Sequence, residues 1–375
     1  MKTRIRHIVT RMLVCACFAL HGCICDDAPS GGNVADVTSD GIVQVGFRIR
    51  LSEEYGSRTA EMRAEVPSLP PDYDDPAKYE TGIGYENYVG FADNDFCFLL
   101  FDEDGRFMET MTVLGIISAG DSGYPSEYTV LCSLTKKPEG TFKVMALANW
   151  GVGNYPQGEN LTEGATTIDD ICEGNTYVYG PAANGAFTPS AETPIPMYGV
   201  KTSNMKLEAN RRNDIGDLYL LRAMAKVEVV CREGSGLELA SVTLARYNTE
   251  GFRAPDGMDV NTAYVSGPHI PADVVTDATL DFHISANKDK AVIYIPEYRN
   301  TGTDRHCWLS VTFADNTDKE YTIDFREYSN GKPAGAWLDI LRNSCYRFTV
   351  DKTAGFEVDL IPYGVIWLDP GFGID

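Results

Sequence analysis

The chain is poor in the residue types and spacings that chemistry requires. Among its 375 residues there are only 5 histidines and 4 tryptophans. His269, His283 and His306 stand far apart, and His283 falls on the polar side of an alternating run. No G-x-S-x-G elbow, no H-E-x-x-H pair and no phosphate-cradling glycine loop occurs. These absences speak against an enzyme, and no cofactor or metal is expected. Beyond Cys25 the cysteines are Cys97, Cys132, Cys172, Cys231, Cys307 and Cys345. They form no C-x-x-C pair, and their wide, irregular spacing gives a zinc cage no support. Their even number permits disulfides in an oxidising compartment. All but Cys172 lie in or beside apolar strand-like runs, which favours buried free thiols. Positive charge is scarce, with 32 Lys and Arg against 54 Asp and Glu and a formal net charge of −22. Nucleic acid and anionic membrane surfaces are therefore not expected partners. No apolar run reaches the ~20 residues that span a bilayer.

What is present begins with a basic stretch, Lys2, Arg4, Arg6 and Arg11, followed by the short apolar run Met12–Leu20. Residues 1–22 thus read as an export signal. Leu20, His21, Gly22 and Cys23 resemble the lipobox of bacterial lipoproteins, in which the cysteine takes lipid and becomes the N-terminus. The resemblance implies that Cys23 anchors the chain in a lipid bilayer. Cys25 is the poorer candidate, because Ile24 would precede the cut. Asp26 and Asp27 sit where an acidic pair resembles the signal that sends such lipoproteins to the outer face of the cell. Residues 23–41 are small, polar and acidic, and read as a tether.

The remainder alternates in the manner of half-buried strands. In "VQVGFRIRL" (43–51), Val43, Val45, Phe47, Ile49 and Leu51 share one side while Gln44, Gly46, Arg48 and Arg50 share the other. Residues 53–92 read as a long polar loop. A hairpin follows, "DFCFLLF" (95–101) turning at "DEDG" (102–105). Further strands are expected over 127–134, 142–149, 218–230, 237–248, 278–285, 290–298, 307–313, 320–325 and 345–350. Only 165–174 and 336–343 read as short helices. Many short strands with almost no helical period predict an all-β chain of antiparallel β-sandwiches. The Pro, Ala, Asn and Thr-rich zone 181–216 places a domain boundary near residue 212, giving domains 42–212 and 213–375. No internal repeat of fixed period is visible.

Two acidic clusters, "ADNDF" (92–96) and "DEDG", are accounted for by turn chemistry, since neither has the spaced oxygens of a calcium loop. Trp308 and Trp337 are set among apolar residues and read as core. Trp150 ends a strand at a turn, where it could stack on a sugar or on its own loop. With Tyr79, Tyr85 and Tyr88 it supports an alternative reading, a surface glycan-binding lipoprotein that does not polymerise.

An ordered series of segments resembles the fimbrillin family of Bacteroidales, the subunits of type V pili. It comprises "FCFLLFDEDGRF" (96–107), "KVMALANW" (143–150), "IPMYG" (195–199), "LLRAMAKVEV" (220–229), "VIYIPEY" (292–298), "ILRNSCYRFTV" (340–350) and "PYGVIWLDPGFGI" (362–374). The resemblance implies two tandem transthyretin-like β-sandwich domains, outer-membrane and cell-surface placement in a fimbrium, and a structural or adhesive role. Partners would be other fimbrial subunits or copies of the same chain, with a host or bacterial surface ligand as a further possibility. It also implies assembly by strand exchange, in which an arginine-specific protease removes the first strand and a neighbour's terminal strand replaces it. On this chain the removed strand would be Val43–Leu51. Arg48, Arg50, Arg58 and Arg63 are the candidate cut points, the last two favoured by their polar loop. The donor would be Phe356–Phe372, including Val365, Ile366, Trp367 and Leu368. Pro362 interrupts that donor as a single central strand. An anchor that keeps its lipid remains the other role within the family.

Overall fold

The structure, a computed structural model, describes residues 43–51, 84–118, 127–156, 160–180, 187–255, 267–329, 332–351 and 355–362. All belong to one compact unit, Gly41–Asp375. The first nine strands are β1 (Val43–Leu51), β2 (Phe96–Phe101), β3 (Phe107–Thr110), β4 (Thr112–Ser118), β5 (Glu127–Leu134), β6 (Phe142–Ala148), β7 (Thr176–Val178), β8 (Met197–Ser203) and β9 (Arg212–Arg222). Between β6 and β7 lies the one α-helix among the described residues, α1 (Ile168–Cys172). Thr167 and Asp170 close it with a capping box. The later strands are β10 (Ala225–Cys231), β11 (Leu239–Asn248), β12 (Glu250–Phe252), β13 (Val275–Asp281), β14 (His283–Ile284), β15 (Lys290–Ile295) and β16 (Trp308–Phe313). They continue with β17 (Asn316–Asp324), β18 (Arg326–Ser329), β19 (Lys332–Trp337), β20 (Ser344–Asp351) and β21 (Gly355–Pro362).

Eight strands of the first half run in the order β3-β2-β6-β8-β9-β1-β5-β4. The sheet bends where β9 leaves β1, because β8 and β9 pair only at Met197–Arg222 and Tyr198–Leu221. Gly199 makes this corner possible, since a Cβ there would lie 1.9 Å from the Tyr219 carbonyl oxygen. The bend folds β4-β5-β1-β9 over β8-β6-β2-β3, and a core of Val45, Phe47, Ile49, Phe98, Val130, Val144 and Leu218 fills the space between. β2 and β6 are buried on both faces, which is why they read as continuous apolar runs. Their far sides, Leu99, Phe101, Met145 and Leu147, pack with Trp150, Tyr155 and Ile171 in a separate core.

The second half is a sandwich of β14-β15-β10-β20-β21 on β13-β11-β16-β17. Alternating residues such as Val227, Val229, Ile293, Phe348, Val242, Leu244, Leu309 and Val311 meet in its core. The two halves repeat one arrangement. β1 lies antiparallel to β5 and parallel to β9, just as β10 lies antiparallel to β15 and parallel to β20. The chain passes from the first sheet to the second at Ala223–Met224, between the end of β9 and the start of β10.

A polar seam surrounds the crossing. Fully buried Arg222 donates to the Glu86 carbonyl at 2.7 Å, to the Asn343 side chain at 2.9 Å and to the Asn87 side chain. Lys226 pairs with Glu86 at 2.9 Å and Glu228 at 3.1 Å, and Glu228 also receives Lys290 at 3.0 Å and Arg347 at 2.7 Å. The expected helix at 336–343 does not form. Leu338 and Ile340 instead donate their N–H groups to the carbonyls of Phe325 and Tyr298, so tertiary hydrogen bonds displace the helical ones. The Asp339 carboxylate, caught by the N–H groups of Asn300 and Thr301, holds that loop open.

Candidate strand-exchange site

β1 is central in its sheet and paired along both edges. Val43–Arg50 face β5 residue by residue, and Gln44–Leu51 face β9 with one irregularity between Gly46 and Arg48. The expected alternation of side chains is realised, with Val43, Val45, Phe47, Ile49 and Leu51 all at or below 4% exposure. Phe47 meets Phe98 edge to face at 5.3 Å. Burial of five such side chains contributes roughly 7–15 kcal/mol, about the whole stability of an ordinary domain. β1 therefore does not leave spontaneously without a replacement.

On the outer side, Arg48 reaches Asp217 at 2.6 Å, and Arg50 reaches Asp217 at 3.1 Å and Glu127 at 3.3 Å. Both arginines lie within the paired ladder, so a protease would have to pull the strand free before cutting there. Arg212 lies across Gly46, its Nε 2.9 Å from where a Cβ would project. Asp217, Glu127 and Arg212 carry no signal in the sequence, because the pairing that brings them to β1 is long-range. Arg58, Arg63, Cys23, Tyr79, Val365, Ile366, Trp367 and Leu368 lie outside the described residues.

β21, the described part of the expected donor, pairs antiparallel with β20 from Ser344–Pro362 to Asp351–Gly355. It is the edge of its sheet, and Pro362 stands at its end, where the missing N–H disturbs nothing further along the ladder. Thus of the two terminal strands described, β1 is central and β21 is peripheral. One cut between β1 and β2 would separate β1 from everything that follows, whereas β10, its counterpart in the second half, is covalently held on both sides.

The aromatic residues weighed as a sugar platform are placed otherwise. Trp150 is buried, stacked on Tyr155 at 6.1 Å, with its indole N–H donated to the Met197 carbonyl at 3.0 Å. It offers no face to a ligand. Tyr85 and Tyr88 are half-buried against each other. Trp308 and Trp337, expected in the core, are half-buried, and Trp337 stacks on His306 at 3.6 Å. The six cysteines Cys97–Cys345 are free; all are buried except half-buried Cys97. Burial pushes the Cys132 and Cys345 thiols up to about 12. Among the described residues no group of acidic, histidine and cysteine side chains could hold a metal ion.

A sequence model of the family described as "Fimbrillin-A associated anchor proteins Mfa1 and Mfa2" matches residues 94–360, more than half of the chain. No curated protein matches. Among solved structures, the tip fimbrial protein Mfa3 of Porphyromonas gingivalis, with a C-terminal truncation, is 13% identical and overlaps 86% of this chain and 99% of its own at a TM-score of 0.49. A fimbrial assembly protein of Parabacteroides distasonis is 16% identical and overlaps 86% of this chain and 99% of its own at a TM-score of 0.43. The match along 94–360 runs from β2 into β21 and takes in six of the seven segments that resemble fimbrillins, all but 362–374. The chain belongs to the fimbrillin-A associated anchor family.

Proposed function

We propose that this protein is a fimbrial subunit, exported as a lipoprotein on Cys23, whose place in the fimbrium is made by exchange of β1 for a strand of a neighbouring subunit. The observation that carries the reading is the placement of β1, an apolar central strand that one cut can release. Its loss leaves the facing edges of β5 and β9 with unpaired N–H and C=O groups along an apolar groove. A donated strand with the same alternation satisfies both the ladder and the core. Arg58 and Arg63 are the cut points that fit, because Arg48 and Arg50 are held in the ladder by Asp217 and Glu127. The donor is the C-terminal segment of the neighbour, with Val365–Leu368 supplying the apolar side chains.

The family description names anchors, and this favours a second role within the same reading, a subunit that keeps Cys23, its lipid and β1 and holds the fimbrium to the outer membrane. Terminal sequencing and mass spectrometry of the protein taken from cells separates the two. A chain that begins after Arg58 or Arg63 fits an exchanged stalk or tip subunit. A lipidated Cys23 terminus fits the anchor. An unlipidated chain with β1 intact contradicts both.

A further inference from the structure

In the polar seam the Lys226 side chain is 0% exposed and stands between two carboxylates that are equally out of water, Glu86 at 1% and Glu228 at 0%. Its Nζ lies 2.9 Å from Oε2 of Glu86 and 3.1 Å from Oε1 of Glu228. The two carboxylates differ in what else they meet. Glu228 stands two residues along the same strand and also receives Lys290 at 3.0 Å and Arg347 at 2.7 Å, so that Lys226, Lys290 and Arg347 together hold it ionised against burial. Glu86 comes from a separate segment, the short 3₁₀ turn Gly84–Asn87, and its Oε2 also accepts the Tyr294 hydroxyl at 2.8 Å. Burial, and after it Glu86, pushes that hydroxyl well above its ordinary value, so it stays a donor.

Burial disfavours both charged forms of the Lys226–Glu86 pair, and a proton passed from Nζ to Glu86 across 2.9 Å turns the pair into an amine and a carboxylic acid. Groups held in contact and well oriented react at effective concentrations of about 10⁵–10⁸ M, far above any that a free amine and acid reach in solution. Exclusion of water from the site also protects the product from hydrolysis.

We propose that Lys226 Nζ and Glu86 Cδ condense into an intramolecular isopeptide bond, with Glu228 as the proton carrier. Nζ gives one proton to Glu86, and the free amine attacks Cδ, where the Tyr294 hydroxyl supports the oxygen on which negative charge gathers. Glu228 takes a second proton from the nitrogen and, as a weak base, hands it to the departing hydroxyl of Glu86. The C–N bond forms, the C–O bond breaks, one water leaves and the third proton remains on the amide. Nothing is oxidised or reduced, and no co-reactant is needed. The link ties the segment before β2 to β10 of the second half. Glu86 follows Arg58 and Arg63, so the link survives a cut there and does not depend on the strand exchange proposed above.

The test is mass spectrometry of the purified full chain, intact and after tryptic digestion. The expected product is a chain lighter by one water, with a branched peptide that joins Tyr79–Arg106 through Glu86 to Ala223–Arg232 through Lys226. Lys226→Arg keeps the charge but has no amine to condense, and is expected to retain its full mass. Glu228→Gln keeps both reacting groups and is expected to slow the appearance of the branched peptide about a hundredfold or more. A wild-type chain shown by its thermal melt to be folded, which keeps its full mass and yields Tyr79–Arg106 as a linear peptide, would overturn the proposal. A water lost within Ala223–Arg232 alone, or lost equally by Lys226→Arg, contradicts it as well. A branched peptide formed by Glu228→Gln as fast as by the wild type contradicts the part given to Glu228.

Discussion

At Glu228, burial and charge pull in opposite directions. Burial alone would raise its carboxyl, yet Lys226, Lys290 and Arg347 together outweigh burial and hold it well below its ordinary value. A group depressed in the folded state stabilises the fold above its unfolded value, near 4.3 for glutamate, and that contribution is lost as pH falls through the folded value. Stability is therefore expected to hold steady from pH 8 to about 5 and to fall steadily below about 4.3, as measured by urea denaturation at stepped pH. At Phe47 the outcome is simpler. Phe47→Ala opens a void against Phe98 in a fully packed core and is expected to cost about 3–5 kcal/mol in chemical denaturation. The Phe47 result was legible in the alternation of residues 43–51. The charge seam was not, because nothing in "RAMAKVEVV" marks Lys226 and Glu228 as buried; their partners Glu86, Lys290 and Arg347 arrive from three distant segments. For the same reason Trp150 could not be told from a ligand platform until Tyr155 and Met197 were seen to cover it.

Edge strands differ sharply in how they are protected. β17 carries Asp318, Lys319 and Glu320 on an exposed edge, a charged sequence that discourages pairing with another chain. β4, the edge of the first sheet, carries no charge at all, and Leu114 and Ile117 are 50% and 55% exposed. It is the segment expected to nucleate aggregation. Leu114→Lys with Ile117→Lys should raise the concentration at which the protein precipitates while changing stability by no more than about 0.5 kcal/mol, read from light scattering and a denaturation curve. At this scale the sequence was informative where periodicity was strong, as in β5, β16 and β20. It misled where an element is decided by distant partners. The run 218–230 reads as one strand, but Arg222 is taken by Asn343 and Glu86, and the chain turns from one sheet to another within it. The segment 336–343 has helical spacing, yet its N–H groups bond to Phe325 and Tyr298.

Across the whole molecule, one strand arrangement is used twice, β4-β5-β1-β9 in the first half and β14-β15-β10-β20 in the second. No repeat is visible in the sequence, because strand patterns constrain only which face is apolar and many residues satisfy that. The duplication sets β1 and β10 in equivalent places, but of the two only β1 can be parted from the fold by a single cut, and this is why the exchange proposed above is placed at β1. The most direct measurement of this claim is to trim the purified chain with an arginine-specific protease after Arg58 or Arg63. The fate of β1 and the size of the product are then followed by mass spectrometry and light scattering. Release of the fragment carrying Val43–Leu51, together with oligomers that depend on Val365–Leu368, is the predicted result. A trimmed protein that stays monomeric with the fragment still bound, or one that unfolds without associating even when the C-terminal segment is supplied, would contradict it.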